Sequence, residues 1–197
     1  MQKCRSPREL REFAESVRAA VRADPAEFQR GMTKKGLYKE FLDEVLPLSY
    51  FAEQHYPDTY TLQPVLGNQG YDAIVYDDAS VEHERLEITK PHDGAEAAKD
   101  AKLVVSRGFG QTKVGDPGDD FGALIPFVVS ACEAKARKDY RDCTLVVVVT
   151  AQPPIPGFES RYEEQVKELI GRLSKITFIA KHVVLFIPPR RVEKIDG

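Results

Sequence analysis

Residues 145–149 form an uninterrupted apolar run, Leu-Val-Val-Val-Val, which constrains the fold more than any other segment. Branched side chains favour extended backbone, and a strand without polar residues at alternate positions has no face to turn toward water. The run therefore predicts a β-strand that is buried on both faces. Such a strand needs packing layers on both sides of its sheet, as in α/β proteins.

The composition is that of an ordinary globular protein. With 42% hydrophobic and 30% charged residues among 197, the chain can bury a core, and its length fits one domain. The three cysteines include no Cys-x-x-Cys pair. This argues against a disulfide framework or a structural zinc site, and it favours a reducing compartment.

Membrane and export roles are not expected. No apolar run approaches the roughly 20 residues that cross a bilayer, and Arg5, Arg8 and Arg11 are not followed by the apolar core of an export signal. We therefore expect a cytoplasmic protein. The formal net charge is -3, so a nucleic-acid partner would have to be held by a local basic patch.

The spacing of apolar residues predicts helices and short strands along the chain. Spacings of three and four residues predict helices over 8–21, 36–56 and 162–173. An alanine-rich composition predicts another over 94–105, and we expect a further helix over 121–140. Extended patterns bounded by turn residues predict strands over 60–66, 71–76, 84–89, 145–150 and 182–187. Because the first three strands have short connections, we expect them to form an antiparallel meander.

The predicted element order describes a single α/β domain with a mixed central sheet. That order is helix, three-strand meander, helix, strand, helix, strand. We expect a helical extension at 1–35, the core at 36–150, and a C-terminal helix and strand at 151–197. The segment 108–120 is rich in glycine and aspartate, which is typical of a loop.

Two acidic residues lie where the predicted meander would bring them together. Asp72 is in the second strand and Glu87 is near the end of the third. If these strands pair around a turn at 77–80, the two carboxylates fall near the far end of one hairpin, roughly 5 to 8 Å apart at Cβ. Their repulsion raises one pKa unless a cation or a hydrogen-bond donor compensates.

A divalent cation is the simplest compensation for such a pair. Oxygen ligands from Asp72 and Glu87, the main-chain carbonyl of Ile88 and several waters suit Mg²⁺ or Mn²⁺ better than Zn²⁺. A bound ion of this kind polarises a phosphoryl oxygen and lowers the pKa of bound water, as phosphodiester hydrolysis requires. The sequence therefore predicts a metal-dependent hydrolase without an organic cofactor.

The two acidic segments, Tyr-Asp-Ala-Ile-Val at 71–75 and Leu-Glu-Ile-Thr-Lys at 86–90, resemble the PD-(D/E)XK nuclease-like superfamily. The resemblance covers residues 36–150. It implies a restriction-endonuclease-like sheet and a magnesium-dependent nuclease that acts on DNA. It also implies that Asp72 and Glu87 bind the metal, and that Glu44 or Glu40 on the first core helix assists.

The chain departs from that family at one position. The resemblance implies a lysine two residues after the glutamate, and this position holds Thr89. Threonine donates a hydrogen bond but brings no positive charge to a phosphate. Lys90 comes one residue later, where a regular strand turns it to the opposite face, and Lys135 is a long side chain on a later helix. These three residues are the candidates for completing the catalytic site.

Other interpretations of the same residues stay open. Asp72 also fits a turn in which its side chain bonds local amides, and Glu87 also fits a solvent-facing strand residue. Without a lysine at position 89, the chain fits a catalytically degenerate relative that serves as a binding module, in a stable complex or a homodimer. A hydrolase of small phosphoesters would use the same carboxylates.

DNA is the partner that the resemblance implies. The best basic patch is the cluster Lys135, Arg137, Lys138 and Arg141, because its helix follows the predicted metal-binding hairpin and should pack beside it. Clusters of this kind are most often solvated helix faces. If nucleic acid binds, we expect it to contact this cluster.

Overall fold

The computed structural model describes residues 1–32, 37–67, 69–92, 94–107, 121–151, 154 and 156–195. The predicted loop at 108–120 lies outside them. Two compact units are present. The first contains Met1–Ile88 and helix α5 (Gly94–Arg107), and the second contains residues 89–92 and the described residues from 121 onward. Helices and strands occur in both units, so the protein is α/β as predicted.

The first unit begins with two helices, α1 (Pro7–Ala23) and α2 (Pro25–Met32). A capping box starts α1, because the Ser6 hydroxyl accepts the Glu9 N–H while the Glu9 carboxylate accepts the Ser6 N–H. The periodicity of residues 8–21 predicts α1 correctly. No periodicity predicts α2, because most of its eight residues are exposed and leave no apolar stripe in the sequence.

The helix predicted over 36–56 is divided into three parts. These are α3 (Leu37–Glu40), a π-helical turn (Phe41–Val45) and α4 (Leu46–His55). Pro47 accounts for the division, since it has no N–H to donate to the carbonyl four residues earlier and its ring crowds that turn. The Leu46 N–H bonds instead to the Phe41 carbonyl, five residues back.

Three antiparallel strands complete the first unit. They are β1 (Thr61–Pro64), β2 (Ala73–Tyr76) and β3 (Glu82–Thr89). In the ladder Thr61 pairs with Tyr76, and Ala73 pairs with Leu86. The predicted meander is confirmed, with β1 and β2 shorter than the sequence pattern suggests. Their inward residues Leu62, Val75 and Leu86 are fully buried.

The second unit is built around the predicted apolar strand. It contains a 3-10 turn (Gly122–Leu124), α6 (Ile125–Ala136), β4 (Tyr140–Val148), α7 (Glu159–Leu173), β5 (Ala180–Ile187) and β6 (Arg191–Lys194). Strands β4 and β5 are parallel with α7 between them in sequence, and β6 is antiparallel to β5. All five side chains at 145–149 are buried, which confirms a strand covered on both faces.

Strand β6 is the element that the sequence pattern does not predict in this unit. Its four residues, Arg-Val-Glu-Lys, carry three charges and are at most half-buried. An edge strand of this kind has no apolar alternation to detect, and it forms because β5 offers it a ladder. Within the described residues, no helix combines the length and the apolar character that a membrane span needs.

A polar cluster joins α1 to α4, the helix that follows the π turn. The Tyr50 hydroxyl donates to Glu15 at 2.8 Å, Arg11 also bonds Glu15, and Arg18 lies 3.2 Å from the same carboxylate. The hydrogen bond from Arg11 is the largest cause that lowers the pKa of Glu15, to about 2, followed by the bond from Tyr50. Burial opposes this lowering.

We expect the stability of the protein to fall as pH drops from about 5 toward 2, partly through Glu15. Its pKa is lower in the folded state, so its contribution is present above the unfolded pKa and is lost as the carboxylate is protonated. Glu15→Gln should reduce stability at pH 7 and flatten the acid dependence of the free energy of unfolding, measured in urea at several pH values. Glu12→Gln, which neutralises an exposed acid on the same helix, is the control. Equal effects of the two changes would contradict the assignment.

Candidate functional site

Asp72 is fixed against strand β3 by both its main chain and its side chain. Its N–H donates to the carbonyl of Leu86 at 2.7 Å, and its carboxylate oxygen Oδ2 accepts the N–H of Ile88, also at 2.7 Å. Its own carbonyl accepts the N–H of Val65 at 2.8 Å. Asp72 therefore extends the β2–β3 ladder by one residue. Its side-chain oxygen, and not a main-chain carbonyl, accepts the N–H of Ile88.

Glu87 lies in β3 between two buried apolar residues. Only 7% of its surface is exposed, and Leu86 and Ile88 on either side are also buried. Burying a carboxylate is costly unless hydrogen bonds or a cation compensate. Because the carboxylate of Asp72 is bonded to the peptide that joins Glu87 to Ile88, the structure brings the two predicted metal ligands to the same stretch of β3.

Glu44, one of the two residues predicted as the accessory carboxylate, lies in the π turn and is affected by the charge of Glu87. Its pKa is raised above the ordinary value, first by burial and then by the negative charges of Glu40 and Glu87. Asp43 adds a weaker effect in the same direction, and Lys39 opposes it. The charge of Glu87 is therefore one of the causes that raise the pKa of Glu44.

The donor atoms of this region suit a hard divalent cation. Carboxylate oxygens from Asp72, Glu87 and Glu44 are the ligand type that Mg²⁺ and Mn²⁺ prefer. In the part of the chain that the structure describes, no three or more His, Cys, Asp or Glu side chains are grouped closely enough to form a metal site by themselves. The predicted site has two carboxylates, completed by a main-chain carbonyl and water. The contribution of the Ile88 carbonyl stays a prediction, and the Ile88 N–H is the group that Asp72 engages.

The residues expected to complete the site occupy different environments. Thr89 ends β3 with 7% of its surface exposed, and its hydroxyl oxygen is buried with no hydrogen-bond partner among the described residues. Lys90 follows it and is half-buried. Lys135 belongs to the second unit, where its ammonium nitrogen lies 5.6 Å from the centre of the Tyr140 ring. The roles assigned to the two lysines stay predictions.

Sequence reasoning missed a second polar group on β3. The Tyr56 hydroxyl donates to Glu84 at 2.8 Å, and His83 Nε2 lies 3.7 Å from the same carboxylate. Burial raises the pKa of Tyr56. The available signal was the alternation of Glu84 with buried Leu86, which places both on one face of the strand. This group ties the end of α4 to β3.

Comparisons with known proteins do not identify a relative. No family model matches the chain, and no match is found among curated proteins or solved structures. The likeness to PD-(D/E)XK nucleases therefore depends on Asp72 before β2, on Glu87 in β3 and on the order of the elements.

Replacing Asp72 tests whether its carboxylate holds the hairpin. We expect Asp72→Ala to lower the free energy of unfolding by about 1–3 kcal/mol, because the buried N–H of Ile88 loses its acceptor. Asp72→Asn should retain most of the stability, since an amide oxygen accepts the same bond. Urea unfolding measures both. The exposed Asp78 in the next turn provides the control, Asp78→Ala, which should change stability by less than about 0.5 kcal/mol. Equal losses in the alanine and asparagine variants would contradict the assigned bond.

The raised pKa of Glu44 provides a direct measure of its coupling to Glu87. We expect Glu87→Gln to lower the pKa of Glu44 only part of the way to its ordinary value, because burial is the larger cause. Carboxyl-detected NMR titration follows this. Glu82→Gln, an exposed change on the same strand, should leave the titration of Glu44 unchanged. An unaltered Glu44 in the Glu87 variant would exclude the coupling.

Proposed function

We propose that the chain is a magnesium- or manganese-dependent nuclease that hydrolyses DNA phosphodiesters, with a sheet of the restriction-endonuclease-like type. One observation carries the proposal. The side chain of Asp72 is bonded to the main chain immediately after Glu87, so two carboxylates from neighbouring strands are held beside one peptide. The raised pKa of Glu44 adds a third acidic group that responds to the charge of Glu87.

The residues would divide the work as follows. Asp72 and Glu87 would hold the cation, which when bound supplies charge to a phosphoryl oxygen and acidifies water. Glu44 would accept a proton from the attacking water, and its raised pKa improves it as a base near neutral pH. The Thr89 hydroxyl, which has no hydrogen-bond partner among the described residues, would donate to a phosphate oxygen.

A second candidate function is a binding module that keeps the nuclease-like core without hydrolysis. The observation that favours it is Thr89, which brings no positive charge to the position of the family lysine. The hydrogen bond from Ile88 to Asp72 also gives that carboxylate a structural use of its own. In this case Lys90 and Lys135 would have no catalytic role.

Metal binding and DNA cleavage together test the proposal. Isothermal titration with Mg²⁺ or Mn²⁺ should show binding by the wild type, and a loss of at least tenfold in Asp72→Asn and Glu87→Gln, because each removes a charged ligand. The asparagine variant is preferred to alanine because it keeps the acceptor for Ile88. Glu82→Gln, on the same strand but exposed, should bind the ion like the wild type.

The cleavage assay separates the two candidates. Supercoiled plasmid incubated with the protein and either ion should be nicked or linearised, and Glu87→Gln should abolish this. Clean protein that binds the ion but leaves the plasmid intact would favour the binding module. Wild type that binds neither ion would exclude the metal site and with it the nuclease.

A further inference from the structure

The second unit contains a cavity of about 260 Å³ at one end of its sheet. The acidic residues considered so far all belong to the first unit. Basic, hydroxyl and apolar side chains line it: Thr177, Phe178, Ala180, Lys181, His182, Val183, Lys194 and Ile195.

The strand directions explain why basic residues meet there. Parallel strands β4 and β5 begin side by side, since Tyr140 pairs with Ala180. Strand β6 runs the other way and ends next to the start of β5, where Lys194 pairs with Val184. The N-terminal ends of β4 and β5 and the C-terminal end of β6 thus lie at the same end of the sheet.

The basic residues that line the cavity have no ion-pair partner in the part of the chain that the structure describes. Lys181, His182 and Lys194 are exposed, and within the described residues none of them forms an ion pair. The nearby Asp139 and Glu193 are already bonded to arginines, at 2.8 Å from Arg141 and 3.0 Å from Arg191.

Other charged residues lie near this end of the sheet. Exposed Asp142 on β4 reduces the positive potential, whereas exposed Lys138 before β4 adds to it. Of the cluster that the sequence predicts to contact DNA, Arg141 is committed to Asp139 and Lys135 lies over the Tyr140 ring. Arg137 and Lys138 of that cluster are exposed, and the start of β5 and the end of β6 add a second group of exposed basic residues.

We propose that this cavity binds backbone phosphates of DNA through Lys181, His182 and Lys194. Ammonium, imidazole and hydroxyl groups all donate hydrogen bonds to phosphate oxygens, and phosphate contacts depend on position and charge, not on base sequence. Phe178 and Ile195 form apolar walls beside these basic groups, and walls of low dielectric constant strengthen the attraction of a charged cleft for an ion of opposite sign. The choice of DNA as the source of phosphate rests on the proposed nuclease function.

The proposed site also explains how a protein with a negative net charge could bind DNA. A molecule with a formal net charge of -3 does not attract a polyanion as a whole, so binding requires a local patch. Three cationic or protonatable groups around one concave surface provide such a patch. The acidic residues of the first unit cannot do so.

Salt-dependent binding of DNA tests this inference. A fluorescent 20-base-pair duplex is titrated with protein in EDTA, and anisotropy is followed at several salt concentrations. Removing two phosphate contacts with Lys181→Ala and Lys194→Ala together should reduce the slope of log K against log salt by about 2. Affinity at low salt should fall by about tenfold or more.

Two further double variants serve as controls. Lys102→Ala with Lys167→Ala removes two exposed charges elsewhere and should leave the slope unchanged. Lys181→Arg with Lys194→Arg keeps both charges and should bind like the wild type, which separates loss of charge from loss of folding. An equal slope in the wild type and the Lys181/Lys194 alanine variant, or no binding by the wild type, would overturn the proposal.

A titration with pyrophosphate tests whether the cavity binds DNA or only small phosphate compounds. If pyrophosphate shifts the NMR signals of His182 while the alanine variant still binds DNA like the wild type, the cavity is a small-phosphate site and the DNA assignment is wrong. Because all of these measurements exclude divalent ions and leave Asp72 and Glu87 unchanged, they do not depend on the predicted metal site. A failure of the nuclease proposal is therefore distinguishable from a failure of this one.

Discussion

The hydrogen bond from the Ile88 N–H to the Asp72 carboxylate is the interaction on which the candidate site depends. It holds the residue before β2 against β3, and it sets the position of an acidic side chain beside Glu87. A carboxylate has about four lone-pair directions, so accepting one amide hydrogen leaves capacity for a cation. The structural and the catalytic interpretations of Asp72 are therefore compatible.

Two acidic residues near this bond are buried or half-buried. Glu87 is buried, and Glu44 has a raised pKa because burial and neighbouring negative charge both disfavour its ionised form. Apolar residues would fill the same space at lower cost, as the neighbours Leu86 and Ile88 do. Carboxylates in such an unfavourable setting are typical of sites that act on a ligand, and a cation would offset their repulsion.

The sequence predicts the parts of this fold that depend on local patterns. The apolar run at 145–149 predicts a strand buried on both faces, and the capping residues of α1 act within a few positions. In contrast, β6 forms only because β5 is beside it, and α2 has no apolar stripe. Such elements depend on tertiary neighbours, which periodicity does not record.

The candidate site shows the same difference between features that local sequence patterns predict and features that depend on tertiary neighbours. The alternation of residues in β2 and β3 indicates that Asp72 and Glu87 are close, but not that Asp72 bonds the Ile88 amide. The π turn alters which residues of its segment face inward, so helical spacing alone leaves Glu44 and Glu40 as alternatives. The cavity in the second unit draws residues from β5 and from the unpredicted β6. Because its charges come from strand ends that meet only in the folded sheet, sequence clustering favoured the contiguous basic residues near α6 instead. Because the residues of this phosphate site come together only through the order and direction of the strands, no continuous sequence motif identifies it.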